Sequence, residues 1–226
     1  MEANTALRDA VGEVKRVQSR RFAGTYADLL VGGPFAAPAQ FFLVELYSDK
    51  DYAERDAQFA RIAGAIEKLL PDHVAGTAVA LSQLHALTEE LDQAMALAWL
   101  SQSDELTPAQ RYVAAWREVG RRADREGQLQ AVLAIGREMA KLTRKTGLRT
   151  MLRMMRAPSS AAGLAALQRF LENGFDTFAA MARRTGEIEA FLDTIEARES
   201  ALMKSLFDQD LVACGTELGR TLGQAR

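Results

Sequence analysis

The stretch His73–Ser101, HVAGTAVALSQLHALTEELDQAMALAWLS, decides the fold class. Val74, Leu81, Leu84, Leu87, Leu91, Met95 and Leu97 or Ala98 recur on or near one side of a helical wheel, with alanine-rich spacing between them. That is the period of a helix with one buried face, and strands, which alternate every second residue, do not produce it. It is the longest uninterrupted helical pattern in the chain and is expected at the centre of the molecule. Its richest apolar run, Ala94–Leu100, falls well short of the roughly 18 apolar residues a membrane span needs, so it reads as a core segment.

The same spacing continues on both sides. Upstream, Leu7, Val11, Val14, Phe22, Tyr26, Leu29 and Leu30 mark an amphipathic helix that Gly32, Gly33 and Pro34 stop. A short helix carries Phe41, Phe42, Leu43, Leu46 and Tyr47, and another runs from Tyr52 to Leu70, where Pro71 removes a backbone donor and ends it. Downstream, Thr107-Pro108 restarts the chain, because a hydroxyl can cap a helix and proline is tolerated in its first turn. Helices are expected over about Arg125–Lys145, over a short piece bearing Leu148, Met151, Leu152 and Met155, over Ala161–Arg184 and over Glu187–Gln209. Ala157-Pro158-Ser159-Ser160 is expected to break the short one, and residues 215–226 to form a frayed tail. No segment alternates in the manner of a strand and no repeat of fixed length is visible. The expectation is an all-α, single-domain bundle of about eight helices over residues 1–226, with globin-like packing open to it.

Composition narrows the function classes. With 48% apolar and 26% charged residues the chain is an ordinary globular one, and 28 basic against 30 acidic residues leave a formal charge of −2, so no global field draws it to nucleic acid or an anionic membrane. The one cysteine, Cys214, cannot form an internal disulfide, and Met1–Arg21 lacks the apolar stretch of a secretory signal; the cytoplasm is the expected compartment.

The string Phe41-Phe42-Leu43-Val44-Glu45-Leu46-Tyr47 resembles the motif of the bacterial FFLEELY-motif proteins, departing from it only by valine at position 44. Arg21-Phe22, Thr25–Leu30, Arg55-Asp56, Leu69-Leu70-Pro71, Pro158, Ala162-Gly163-Leu164, Leu167-Gln168, Phe170-Leu171-Glu172 and Gly174-Phe175 are similar to the same family, so the likeness spans most of the chain. The resemblance implies a helical fold and a cytoplasmic setting, and it implies no catalytic residue.

Three groups of polar residues are candidates for function. Glu45, Tyr47, Asp51, Arg55 and Asp56 form the densest polar cluster beside aromatic rings; a carboxylate there could work as an acid or base, and helix capping with an Asp51–Arg55 ion pair is the plainer reading. His73 and His85 are too far apart along one helix to share a metal, and no HExxH, Glu-x-x-His pair, P-loop, dinucleotide fingerprint or nucleophile elbow occurs, so neither a metal site nor a catalytic residue is assigned. His85 is the candidate ligand-binding residue if the fold holds a haem or bilin as globin-like folds can, with no cofactor as the first expectation; Cys214 could attach a bilin but reads better as a buried, inert thiol. Finally, Arg137–Arg156 carries seven cations against Glu138 alone, and Arg144, Lys145, Arg149, Arg153 and Arg156 make a candidate anion or membrane face. The competing reading pairs this segment with the acidic stretch Glu187–Asp210. Nucleic-acid binding is not expected, since the basic stretch has no aromatic residues for stacking, and peripheral membrane contact is expected less than internal pairing. The first functional expectation is therefore an accessory protein acting by protein contact, with an unknown partner or as a homodimer. A haem or bilin sensor and an enzyme built on the Glu45–Asp56 cluster are the alternatives.

Overall fold

A computed structural model describes residues 2–45 and 72–225. Among these residues every regular element is a helix, so the protein is all-α. In chain order the helices are α1 (Glu2–Thr25), α2 (Ala27–Leu30), α3 (Ala36–Glu45), α4 (Asp72–Ser101), α5 (Pro108–Val119), α6 (Arg122–Thr143), α7 (Leu148–Met154), α8 (Arg156–Ala161), α9 (Ala165–Met181), α10 (Glu187–Asp208) and α11 (Leu211–Gln224). The helix expected over Tyr52–Leu70 lies outside the described residues.

Local chemistry sets most of the boundaries. At the start of α5 the Thr107 hydroxyl accepts from the Gln110 backbone N–H and the Gln110 side-chain oxygen Oε1 accepts from the Thr107 N–H, with Pro108 in the first turn. This reciprocal cap satisfies two donors that a helix start would otherwise leave open. Gly147 and Gly186, both at φ +85°, precede α7 and α10, a backbone setting that favours residues without a Cβ.

Three expectations are corrected. The long first helix is interrupted at Tyr26, whose φ of −114° and ψ of 19° leave the helical region. The Ala157–Ser160 stretch does not break the chain: α8 runs through it, because Pro158 stands in the first turn, where its missing N–H costs nothing. The stop comes at Gly163, in the left-handed region at φ +69°. The tail is not frayed. Asp210 accepts from the Val212 and Ala213 N–H groups at 3.0 Å each and caps α11, which buries Cys214, Leu218 and Leu222.

Contacts divide the chain into two compact units. The first comprises Met1–Asp49, Leu87–Leu129 and Thr194–Arg226. In it α11 packs against α5 and α1, and the core holds Val14, Val17, Met95, Trp99, Tyr112, Val113, Trp116, Leu206, Cys214 and Leu218. Trp116 lies at its heart, its ring 6.0 Å from that of Tyr112 and 5.6 Å from that of Phe207. Glycine permits the closest approach: a Cβ on Gly24 in α1 would stand 2.0 Å from the carbonyl oxygen of Thr221 in α11.

The second unit comprises Lys50–Ala86 and Gln130–Asp193. Here α7 and α8 pack on α9, and Leu142, Leu148, Leu152 and Phe175 bury together with Met139 and Met151 against them. Gln168 ties the elements by donating to the Leu152 carbonyl at 2.6 Å while accepting from the Ser159 hydroxyl at 3.0 Å.

Candidate functional site

The interior of the first unit contains charge where its helical periodicity calls for apolar side chains. On α1, Arg21 follows Val14 and Val17 on the buried side; on α10, Glu199 follows Ile195 and precedes Leu206; on α4, Asp92 stands among Leu91, Met95 and Ala96; on α6, Arg125 precedes Leu129 by one turn. All four charged residues are buried. Ions taken out of water are costly unless each meets an opposite charge or strong hydrogen bonds, so their partners are the informative part.

Arg21 Nη1 donates to Glu199 Oε1 at 2.6 Å, and the Tyr26 hydroxyl donates to the same oxygen at 2.9 Å. Beside them, Arg198 donates through Nη1 and Nη2 to the two carboxylate oxygens of Asp28 at 2.7 Å each, and from Nη1 to the Thr25 carbonyl at 2.8 Å. This bidentate hydrogen bond holds the Asp28 carboxyl below its ordinary range. Together the two arginines anchor the α1–α2 bend to α10.

A second group surrounds Asp92. Gln18 Nε2 donates to Asp92 Oδ1 at 2.9 Å and also engages Tyr112, and Lys15 pairs with Glu89 at 2.7 Å one turn away. Burial raises the Asp92 carboxyl above its ordinary value, against the opposing pull of the Gln18 hydrogen bond and of Lys15 and Arg125. Burial likewise raises the Tyr112 phenol, which stays protonated. The Arg125 guanidinium lies 4.0 Å from the centroid of the Trp116 ring, a cation–π contact that desolvation strengthens. Among the described residues the Trp116 Nε1–H meets no hydrogen-bond acceptor. The cluster ties α1, α4, α5 and α6 to one another.

The residues singled out in the sequence are distributed otherwise. Glu45 ends α3, half-buried, while Tyr47, Asp51, Arg55 and Asp56 lie outside the described residues, so that cluster's geometry is not described. His85 lies on α4, half-buried, in the second unit. Among the described residues no group of three or more His, Cys, Asp or Glu side chains is placed to hold a metal ion. Cys214 is buried against α5, its Sγ 3.5 Å from the Ser205 hydroxyl.

The basic segment is resolved residue by residue. Arg149 Nε reaches Asp176 at 2.8 Å, Arg156 Nε reaches both oxygens of Glu172 at 2.8 and 2.9 Å, and Lys141 reaches Glu138 at 3.0 Å. Among the described residues of this segment only Arg137, 3.5 Å from Glu189, turns to the acidic stretch that the sequence offers as partner. Arg149 and Arg156 pair instead with α9, and Lys141 pairs within α6. Arg144, Lys145 and Arg153 are exposed, and no ion pair of theirs occurs among the described residues.

Fold and site thus define an all-α protein with buried charged residues binding the helices of its first unit and an exposed basic corner on its second. Its sequence matches the family described as Domain of unknown function (DUF8198) over residues 1–212, and the chain belongs to that family. No curated protein and no solved structure matches it. Among the described residues no helix is long and apolar enough to cross a membrane.

Proposed function

We propose that the protein is a helical accessory protein that works by contact with other protein surfaces, and that its first such contact is with a second copy of itself through the outward side of α4. What supports the reading is one feature: Leu97 and Leu100, three residues apart on α4, are 59% and 45% exposed while their neighbours Met95, Ala96, Ala98 and Trp99 are buried. An exposed pair of large apolar side chains on a helix face suits a partner surface better than water.

The surroundings favour a second copy. Gln93, one turn before Leu97, is exposed and uncharged, so the face brings no like charges together when it meets itself across a two-fold axis. Ion pairs bound it on both sides, Glu90 with Arg121 at 2.6 Å and Asp104 with Arg111 at 2.9 Å, in the manner of the polar rim around an apolar interface centre. The likeness of Phe41–Glu45 to the FFLEELY motif and a cytoplasmic setting belong to the same proposal, and neither adds chemistry to it.

Sedimentation equilibrium tests it. Wild-type protein is expected as a dimer in the micromolar range, and Leu97→Glu with Leu100→Glu as a monomer of unchanged helical circular dichroism. A wild type that stays monomeric at every concentration, or a dimer indifferent to the two substitutions, overturns the reading.

A further inference from the structure

The 33 residues from Met139 to Leu171 contain seven cations and no carboxylate. The second unit folds this run into the end of α6, the turn 144–147, α7, α8 and the start of α9, and its acidic neighbours Glu172 and Asp176 neutralise only Arg156 and Arg149. Arg144 and Lys145 on the turn and Arg153 on α7 are left exposed to solvent. Arg153 stands one turn beyond Arg149 on the same helix face, so the charge is extended along the corner and not confined to its tip.

Next to these cations, from Met154 onward, part of the outward surface is apolar. Met154 is 67% exposed, and Ala157, Pro158 and Ala161 are exposed after it. The spacing 154, 157, 158, 161 is that of one helix face. The backbone at Met155 (φ −74°, ψ −8°) keeps the right-handed helical sense across the joint of α7 and α8, so the spacing carries through. A shallow apolar face with a protruding methionine, flanked by arginine and lysine, is what a helix lying in a bilayer interface presents: the apolar side enters the boundary between headgroups and chains while the cations meet anionic headgroups. An acidic protein would use the cations and gain little from Met154.

We propose that the α7–α8 corner of the second unit docks reversibly on an anionic lipid surface, with Arg144, Lys145 and Arg153 meeting headgroups and Met154 entering the interface. A net charge of −2 does not oppose this, because at physiological salt a field reaches only about 8 Å and the local charge governs. The corner carries too few cations for stable anchoring alone, so binding is weak and salt-sensitive.

The experiment is co-sedimentation of the full-length protein with vesicles of phosphatidylcholine alone or mixed with phosphatidylserine, at low and physiological salt. Pelleting with the mixed vesicles only, weakened by salt, is expected. Arg144→Glu with Lys145→Glu and Arg153→Glu, all exposed and outside the core, reduces the bound fraction by at least about tenfold, since each cation near an anionic surface contributes on the order of a factor of five. Met154→Asn preserves the charge and still weakens vesicle binding severalfold. No pelleting by the wild type, equal pelleting with neutral vesicles, or binding unchanged by the triple substitution overturns the proposal. So does tight binding to a polyglutamate peptide that Met154→Asn leaves intact, which assigns the corner to an acidic protein.

Discussion

Arg21 and Glu199 stand 178 residues apart in sequence and meet at 2.6 Å in the interior of the first unit, their side chains 9% and 10% exposed. The pair joins α1 to α10, and Tyr26 completes the coordination of the carboxylate. Removing one partner strands the other charge away from water, whereas removing both removes the desolvation cost as well. Glu199→Gln and Arg21→Leu are each expected to lower the unfolding free energy by roughly 3 to 5 kcal/mol. The double substitution Arg21→Leu with Glu199→Leu is expected to cost clearly less than their sum, as read by urea unfolding followed through tryptophan fluorescence. Tyr26→Phe, which removes one hydrogen bond, costs about 1 kcal/mol. Additive losses would show that the two charges are not coupled.

Gly24 and Gly127 are both helical and demand opposite outcomes. A Cβ at Gly24 would meet the Thr221 carbonyl at 2.0 Å, a backbone atom that a rotamer change cannot move aside; around Gly127 nothing lies within 4 Å. Gly24→Ala is therefore expected to destabilise by about 2 to 3 kcal/mol through overpacking. Gly127→Ala is expected to stabilise by roughly 0.5 to 1 kcal/mol, because alanine loses less conformational freedom in a helix. Thermal unfolding of the two variants in one buffer reads both signs.

Periodicity made the helices legible, since burial on one face is written in every third or fourth residue, and α4, α5 and α10 fall within a few residues of their expected bounds. Position inside the first turn was the subtler signal: Pro158 looks like a breaker until its place in α8 is known. The buried charges were harder to read. Arg21, Asp92, Arg125 and Glu199 each occupy an apolar register position, and that intrusion is visible in the sequence, but the partners lie on other helices and no spacing rule brings Arg21 to Glu199 or Gln18 to Asp92. The basic run was plain, whereas its division into paired and open members depended on α9 placing Glu172 and Asp176 one turn apart beside it.

That division has a pH signature. Arg156 donates to both oxygens of Glu172, and this hydrogen bond, with further help from Gln168 and from the nearby Arg153 charge, draws the Glu172 carboxyl down to about 2 against the cost of its burial. A carboxyl lowered in the folded state releases its proton more readily there than in the unfolded chain. Its stabilisation is complete above the unfolded value near 4.5 and is lost as pH falls toward about 2. Arg156 is exposed, so screening keeps the pair's contribution to a small amount. Arg156→Ala is thus expected to lower stability by that amount at pH 7 and by nothing measurable at pH 2. Urea midpoints across that range test it, and a constant difference at all pH values would assign the loss to packing.

Cys214 reports whether α11 is a permanent part of the first unit. Its side chain is 2% exposed in a cluster shared with Leu218, Leu222, Tyr112 and Trp116, so a thiol reagent reaches it only when α11 lifts away or the unit unfolds. Labelling of native protein is expected to be slower than that of protein in concentrated urea by a factor set by the free energy of that opening. Leu218→Ala deletes buried methyl groups from the same cluster and is expected to cost about 2 to 3 kcal/mol. If opening limits access, that cost must reappear as a rise in labelling rate of roughly 30- to 150-fold, because each 1.4 kcal/mol is a factor of ten. Rapid labelling of the wild type, insensitive to Leu218, would mean that residues 211–224 detach freely and that the Asp210 cap does not hold the end of the chain in place.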